Sequence, residues 1–341
     1  MQDFRVPACF FPTTTLFIDD HHGFILNMVL HGEEDFAFRL VASPYEALKY
    51  LKEQHKETTG VYKHVTHELK SYAKDTPANH ACYMSFVAIY SEIYNARRFE
   101  EISVLVVDHA MKGMEGLRFC GTIPDTVIKK ILLIHSAEES LAKDAIEEGI
   151  IDAFVFKDQK DAFHTLLKKI HDLQTKYFLE MSWGIEKALS IKAPACLSDL
   201  KFIDFFAKLR LHHRIVEYYL IDDSGSFLLL DQDARLSCWM VKTVEECKSY
   251  YLWAQAHGIE PTLLDELHQG KKMPAFFPKD TPSGSWTESW KSILPATRFE
   301  TMRSYYYSYV EGGFLLDINA ALIKSFHEFL EELDMEELLF R

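Results

Sequence analysis

Residues 104–117 read VLVVDHAMKGMEGL, so four consecutive apolar residues are followed directly by Asp108. A short apolar run rich in β-branched residues predicts a strand that is buried on both faces, as in a parallel sheet with helices on either side. Asp108 then lies at the carboxyl end of the strand, where open α/β sheets place their ligands. The stretch predicts an α/β fold with a candidate site at Asp108.

Three further apolar runs in the first half of the chain are followed by polar residues. The runs and the residues that follow them are 16–18 with Asp19 and Asp20, 131–134 with His135 and Ser136, and 154–156 with Lys157. In a parallel sheet all such strand ends lie along a single edge, so these side chains should surround one pocket with Asp108. Clustered carboxylates repel one another unless a cation lies among them, and Mg²⁺ accepts carboxylate, water and phosphate oxygens. The pattern predicts a magnesium site in which an ammonium and a hydroxyl are suited to hold phosphoryl oxygens.

Residues 13–175 resemble the receiver domain of two-component response regulators, which has a flavodoxin-like (βα)5 fold. The resemblance is carried by two methionines, an acid and a glycine at fixed places after Asp108, and by a later segment similar to the family's fourth helix and fifth strand. These residues are Met111, Met114, Glu115, Gly116, 145–149, Ala153 and Phe154. The resemblance implies a protein that sensor histidine kinases phosphorylate on an aspartate.

The resemblance also implies a role for each residue of the predicted pocket. Asp108 would be the phosphoacceptor. Mg²⁺ would be held by the side chains of Asp19, Asp20 and Asp108 and by the backbone carbonyl of Ala110. The switch hydroxyl, the switch aromatic and the lysine that pairs with the phosphoryl group would be Ser136, Phe154 and Lys157.

The chain departs from the family pattern at two single positions. Lys112 stands where a proline usually follows the first methionine, and Asp158 stands where a proline usually follows the lysine. A cis peptide bond before a residue other than proline costs about 3 kcal/mol. The second departure therefore leaves the conformation of the loop at Lys157 open.

Two other interpretations of the Asp108 motif remain. An aspartate after a strand is often only the N-cap of the next helix, and Ser136 suits that role as well. A haloacid-dehalogenase-type phosphatase also begins with an aspartate after a strand, but it needs a second aspartate two residues later. Ala110 occupies that place here, which disfavours the phosphatase.

Composition limits the class of protein further. The 341 residues are enough for two domains, and 48% hydrophobic with 26% charged residues indicates a globular chain. The first residues have no apolar signal core, and no stretch is long enough to span a membrane. Six cysteines without CxxC pairs favour reduced thiols in the cytoplasm over a zinc site. A net charge of −14 makes direct DNA binding an unfavourable hypothesis without excluding it.

The predicted organisation is a receiver domain over 1–175 and an α+β output domain over 176–341. The segment from 55 to 100 is too long for an ordinary connection, and its periodicity predicts an inserted helical hairpin. The second half shows strands over 217–221, 227–231, 236–241 and 305–310, helices over 244–257, around 263 and over 318–333, and a loop over 274–297. It has no helix-turn-helix pattern with a basic second helix and no P-loop.

The helix predicted over 161–180 carries an apolar stripe along one side. Its residues are Phe163, Leu166, Leu167, Ile170, Leu173 and Tyr177. Such a stripe must be buried against something. Two alternatives are open: a phosphorylation-dependent homodimer uses this face, or the stripe packs against the receiver sheet or the output half.

The chain as a whole is similar to response regulators of bacterial quorum sensing. This implies a cytoplasmic phosphoprotein of a phosphorelay whose only catalysis is its own phosphotransfer and dephosphorylation. Two alternatives stay open: a receiver-like interaction scaffold without phosphotransfer, and a regulator whose output domain binds a nucleotide. The cognate kinase, the output target and the role of the insertion do not follow from the sequence.

Overall fold

The computed structural model describes residues 5–21, 36–57, 89, 91–123, 128–189, 193–275, 293–312 and 318–339. Apolar residues between 24 and 30 predict a first receiver helix; this segment and most of the predicted insertion hairpin lie outside the described residues. The described residues form two compact units, one of which holds a parallel sheet and the other an antiparallel sheet. None of the helices in these ranges is long and apolar enough to cross a membrane.

The first unit contains a five-stranded parallel sheet in the order β3-β2-β4-β5-β6. Its strands are β2 (Thr14–Ile18), β3 (Phe38–Val41), β4 (Ile102–Asp108), β5 (Lys129–Ile134) and β6 (Ala153–Phe156). Every pair of neighbouring strands is parallel. The predicted flavodoxin-like receiver fold is thereby confirmed.

The apolar run of β4 is continuous because the strand is buried on both faces. Leu105 and Val107 lie in one hydrophobic cluster, whereas Val104 and Val106 lie in another. Successive side chains of a strand point to opposite faces, so a strand covered on both sides needs no polar residue along its length.

Helices of the first unit contribute to both clusters. They are α1 (Pro44–Glu57), α2 (Gly116–Thr122), α3 (Glu139–Glu147) and α4 (Ala162–Leu189). Helices α1, α2 and α3 contribute Ala47, Phe119 and Ala142 to the first cluster.

The apolar stripe of α4 packs against the sheet of its own unit. Leu166 and Ile170 are buried in the cluster that holds Val104 and Val106, and Tyr177 is also buried. Of the two alternatives that the sequence left open for this stripe, packing within one chain is the one that occurs. A dimer of this protein would therefore need another surface.

The second unit is built on an antiparallel sheet in the order β1-β7-β8-β9-β13-β12. Its strands are β1 (Cys9–Phe10), β7 (Ile215–Leu220), β8 (Phe227–Asp231), β9 (Leu236–Thr243), β12 (Thr297–Glu300) and β13 (Ser304–Glu311). A separate pair joins β10 (Lys272–Pro274) to β11 (Ile293–Pro295). The helices are α5 (Leu200–His212), α6 (Val244–Ala256) and α7 (Pro261–His268).

Local chemistry explains where two of these helices begin. The Asp199 carboxylate accepts backbone N–H bonds from Lys201 and Phe202 at the start of α5, and Thr243 with Glu246 forms a capping box at the start of α6. The core of the unit is aromatic, with the ring of Phe206 stacked 5.2 Å from that of Trp239.

Several predictions for the second half need correction. The predicted hairpin of β7 and β8 is observed. However, the stretch predicted as loop over 274–297 begins at the last residue of β10 and contains β11, and the closing helix begins at Phe326 rather than 318 (α8, Phe326–Leu339). Helix α5 was not predicted. Its buried aromatic residues pack against the sheet, which the sequence pattern did not distinguish from other apolar segments.

The two units are discontinuous in sequence, whereas the sequence suggested a single boundary after residue 175. Described residues of Met1–Phe10, Leu69–Tyr94 and Leu189–Ser325 form the antiparallel unit, and those of Phe11–Glu68, Asn95–Ala188 and Phe326–Arg341 form the parallel unit. Phe99 shows why the last helix belongs to the parallel unit. Its ring lies 5.3 Å from that of Phe326 and 5.6 Å from that of Phe329.

Candidate functional site

The predicted polar residues lie along the carboxyl edge of the parallel sheet. Asp19 directly follows β2, Asp108 is the last residue of β4, Ser136 begins a short helical turn after β5, and Lys157 follows β6. Strand register places these ends side by side, since Ile18 pairs with Val107 and Asp108 pairs with Leu133. The sheet therefore positions residues from separate parts of the sequence at one edge.

Lys157 bridges two buried carboxylates. Its Nζ lies 2.7 Å from Asp108 Oδ2 and 3.3 Å from Asp19 Oδ2. Asp19 is fully buried and Asp108 is 4% exposed. Burial raises the pKa of Asp19 and the nearby Asp108 charge adds to this, although the His21 N–H and the Lys157 ammonium oppose it. The Lys157 ammonium thus contacts two buried carboxylates.

Asp20 is held by two donors at the rim of the same site. Its Oδ1 lies 2.7 Å from His21 Nδ1, and its Oδ2 accepts the Lys112 backbone N–H at 3.1 Å. Burial raises the pKa of Asp20, but the hydrogen bonds from Lys112 and His21 outweigh it, so that the net pKa is lowered. The usual proline at the place of Lys112 has no N–H to give. This departure from the family pattern therefore supplies a donor to the site.

The loop after Asp108 is fixed by backbone contacts. The Ala110 N–H donates to Asp108 Oδ1 at 3.2 Å, and the His109 N–H donates to the Leu133 carbonyl at 2.9 Å. A side chain at Gly116 would overlap the carbonyl oxygen of Asp108. Only glycine fits such a close approach, which gives a physical reason for the glycine in the motif.

The Ser136 hydroxyl donates to a carboxylate other than those of Asp19, Asp20 and Asp108. It donates to Asp158 Oδ2 at 2.7 Å, and the Ser136 backbone N–H donates to the same oxygen at 3.3 Å. The hydrogen bond from the Ser136 hydroxyl lowers the pKa of Asp158. The described residues contain no cis peptide bond, so the Lys157–Asp158 bond is trans. Lys157 reaches Asp108 without the proline that usually follows it.

Phe154 lies apart from the acidic pocket. Its half-buried ring is 5.3 Å from the ring of Phe156. Both rings line a surface pocket of about 280 Å³, together with Ile146 and Lys169. Contacts among the described residues bring Asp19, Asp108 and Lys157 together, whereas the ring of Phe154 contacts that of Phe156.

The donor set fits a divalent cation. The carboxylates of Asp19, Asp20 and Asp108 and the ammonium of Lys157 lie at this edge, and Asp19, Asp20 and His21 offer ligand atoms within 4.8 Å of one another. Oxygen donors of this kind suit Mg²⁺. The arrangement can hold a cation beside Asp108 and present an ammonium to an incoming anion.

His21 as a site residue and Asp158 as a hydrogen-bond acceptor were not indicated by the sequence patterns. His21 follows the two aspartates directly, and Asp158 follows Lys157. Adjacency to the predicted site residues was the signal that could have identified them. Adjacency could not predict their hydrogen-bond partners, because the hydrogen bond from Ser136 to Asp158 joins residues that are 22 positions apart.

The whole chain is similar to a protein of known structure. No protein-family model matches it, and no curated protein matches it in sequence. Among solved structures, the Legionella pneumophila response regulator LqsR is similar at 41% identity and a TM-score of 0.82, over 98% of this chain and 99% of that one.

Two other solved structures cover about half of this chain. One is an adenylate cyclase from Rhodopirellula baltica, with 18% identity over 53% of this chain and 99% of that one, and a TM-score of 0.33. The other is a CheY-like response regulator receiver domain protein from Methanospirillum hungatei JF-1, with 18% identity over 50% and 98% and a TM-score of 0.29. Neither score is high enough to support an argument about function.

Proposed function

This chain belongs to the family of response regulators that includes Legionella pneumophila LqsR, and on that premise we propose that it is phosphorylated on Asp108. The observation that carries the proposal is the Asp108 carboxylate, buried at the end of the middle strand and held 2.7 Å from the Lys157 ammonium. The donor is the phosphohistidine of a sensor histidine kinase. Asp108 is thus the nucleophile of the phosphotransfer reaction.

The reaction is an in-line displacement at phosphorus. A carboxylate oxygen of Asp108 forms the new P–O bond while the P–N bond of the phosphohistidine breaks, and its electron pair stays on the imidazole nitrogen. The Ala110 N–H, which donates to Asp108 Oδ1, keeps the carboxylate oriented. The product is an acyl phosphate on Asp108.

Other residues of the site neutralise the added charge. Lys157 is placed to exchange part of its contact with Asp108 for a phosphoryl oxygen. Asp19, Asp20, Asp108 and the Ala110 carbonyl would hold Mg²⁺, which when bound neutralises charge on the phosphoryl oxygens. Ser136 would donate its hydroxyl to the phosphoryl group, and Phe154 would move with it. The acyl phosphate would then favour one of two conformations of the receiver surface.

The proposed cellular role is quorum sensing in the cytoplasm. The resemblance of the sequence to response regulators of bacterial quorum sensing supports this role. Cys9, Cys120, Cys196, Cys238 and Cys247 are free, and burial raises the pKa of each thiol to about 12. Unpaired protonated thiols suit a reducing compartment.

Labelling with acetyl-[³²P]phosphate tests the proposed function directly. The full chain should acquire an alkali-labile, hydroxylamine-sensitive label in the presence of MgCl₂ and lose it in excess EDTA, because the carboxylates need a divalent cation to accept further negative charge. Failure to label with both acetyl phosphate and phosphorylated histidine kinases would refute phosphotransfer. It would favour the alternative of a receiver-like scaffold that acts through protein contacts alone.

We also propose a phosphorylation-dependent homodimer through the surface formed by α3, β6 and α4. Leu141 and Ile146 are each 40% exposed on α3, beside the pocket lined by Phe154 and Phe156. Exposed apolar side chains next to an apolar pocket form a surface that a second copy can cover. The buried stripe of α4 is not available for this role.

Light scattering at several protein concentrations tests the dimer. Phosphorylation should raise the molar mass of the wild type, whereas Ile146→Glu should stay monomeric because a charge would be buried in the interface. Leu252→Glu, at an exposed leucine of the other unit, is the matched control and should behave as wild type. Unchanged mass of the wild type, with phosphate verified on Asp108, would contradict the dimer.

A further inference from the structure

The Ser136 hydroxyl has an anionic partner within the protein. Asp158 Oδ2 accepts both the hydroxyl at 2.7 Å and the backbone N–H of Ser136 at 3.3 Å. One oxygen therefore restrains the main chain and the side chain of the residue at the end of β5. A hydroxyl has one proton to donate, so this bond excludes donation by Ser136 to any other acceptor.

Asp158 is also directly joined to the residue that holds the acidic pocket. Lys157 bonds Asp108 and Asp19, whereas the next residue bonds Ser136. Two adjacent residues after β6 thus tie the end of β5 to the ends of β2 and β4.

We propose that Asp158 is a positioning residue that holds Ser136 away from the phosphorylation site, so that a phosphoryl group on Asp108 must compete with a carboxylate for the Ser136 hydroxyl. The inference rests on the proposed function of Asp108 and adds a residue that opposes it. The proline that the family usually has at this place offers no side-chain acceptor. Response regulators with that proline lack this competitor, and this chain has it.

The hydrogen bond from Ser136 to Asp158 should disfavour the phosphorylated conformation. A hydrogen bond to a carboxylate is stronger than one to a neutral acceptor, and it must be broken before Ser136 can donate to the phosphoryl oxygens. Asp158 is exposed, so solvent screening reduces the effect of its charge. Removal of the carboxylate should therefore favour the phosphorylated conformation by roughly three- to tenfold.

The test is a titration of the full chain with beryllofluoride in the presence of MgCl₂, followed by calorimetry. Beryllofluoride is an inorganic mimic of the phosphoryl group on a carboxylate. The dissociation constant should fall about three- to tenfold in Asp158→Ala and less in Asp158→Asn, whose amide oxygen is a neutral acceptor. Asp144→Ala, which removes an exposed aspartate of α3, should leave the affinity unchanged.

The double variant Ser136→Ala with Asp158→Ala decides whether Asp158 acts through Ser136. In the Ser136→Ala background, removal of the Asp158 carboxylate should bring no further gain, so that the two effects are coupled. An equal gain in both backgrounds would indicate a general electrostatic effect and overturn the inference. No gain in Asp158→Ala, when the wild type binds, would overturn the inference alone. Absence of binding by the wild type would overturn the proposed function with it.

Discussion

Asp108→Asn should abolish phosphoryl incorporation from both acetyl phosphate and a phosphorylated sensor kinase. Asparagine keeps the shape of the side chain but has no carboxylate oxygen to attack phosphorus. The expected effect is a complete loss, because Asp108 is buried at the end of the middle strand and lies 2.7 Å from the Lys157 ammonium, compared with 3.3 Å for Asp19. Phosphate content, measured after protein denaturation, should fall to background.

The fold should survive this substitution. Asp108 lies near another buried carboxylate, Asp19, whose pKa is raised by burial first and by the Asp108 charge in addition. Removal of one charge relieves that repulsion, and Lys157 keeps Asp19 as a partner. Circular dichroism should match the wild type. Asp144→Asn is the matched control and should label normally, and a label persisting in Asp108→Asn and mapped to Asp19 or Asp20 would contradict the assignment.

Asp20→Ala should weaken Mg²⁺ binding by about tenfold or more, which corresponds to about 1.4 kcal/mol of binding free energy. Proteins bind Mg²⁺ through only a few carboxylates. Asp20 is one of the three at the carboxyl edge of the parallel sheet. Isothermal titration of the full chain with MgCl₂ measures the change. Acetyl phosphate labelling at limiting MgCl₂ should fall in parallel and recover at high concentrations.

Glu115→Ala provides the control for this prediction. Glu115 is an exposed acid in the loop that follows Asp108. Its removal therefore tests whether any loss of negative charge near the site weakens Mg²⁺ binding. Its affinity for Mg²⁺ should remain close to that of the wild type. Equal affinity in Asp20→Ala and the wild type would remove Asp20 from the metal site.

The receiver half was predictable because its fold is encoded in local patterns. A strand covered on both faces is a near-continuous apolar run, so the segment ending at Asp108 was recognisable without knowledge of its neighbours. The polar residues that follow each strand were recognisable for the same reason, since the end of an apolar run marks the edge of the sheet. Parallel topology then brings the ends together, as Lys157 with Asp19 and Asp108 shows.

The antiparallel half was less predictable because its partners are distant in sequence. Strand β1 comes from the N-terminal end and pairs with β7, as Cys9 does with Tyr219. A two-residue strand carries no periodicity that could reveal this pairing. Similarly, two aromatic rings of α8 pack against Phe99. The sequence of α8 predicts an apolar face but not the residue that covers it.

The apolar stripe of α4 and the two departures from the receiver pattern also show that contact partners cannot be predicted from local sequence. Spacing of apolar residues predicts that Leu166 is buried, but the sheet of the same chain supplies the surface that buries it. Nothing local distinguishes Lys112 and Asp158 from other loop residues. The N–H of Lys112 meets Asp20 across 92 residues, and Asp158 meets Ser136 across 22. The amino-acid sequence determined which side chains are buried and where strands end, because both depend on residues that are close along the chain. Which donor meets which acceptor depends on distances that exist only after the strands have paired.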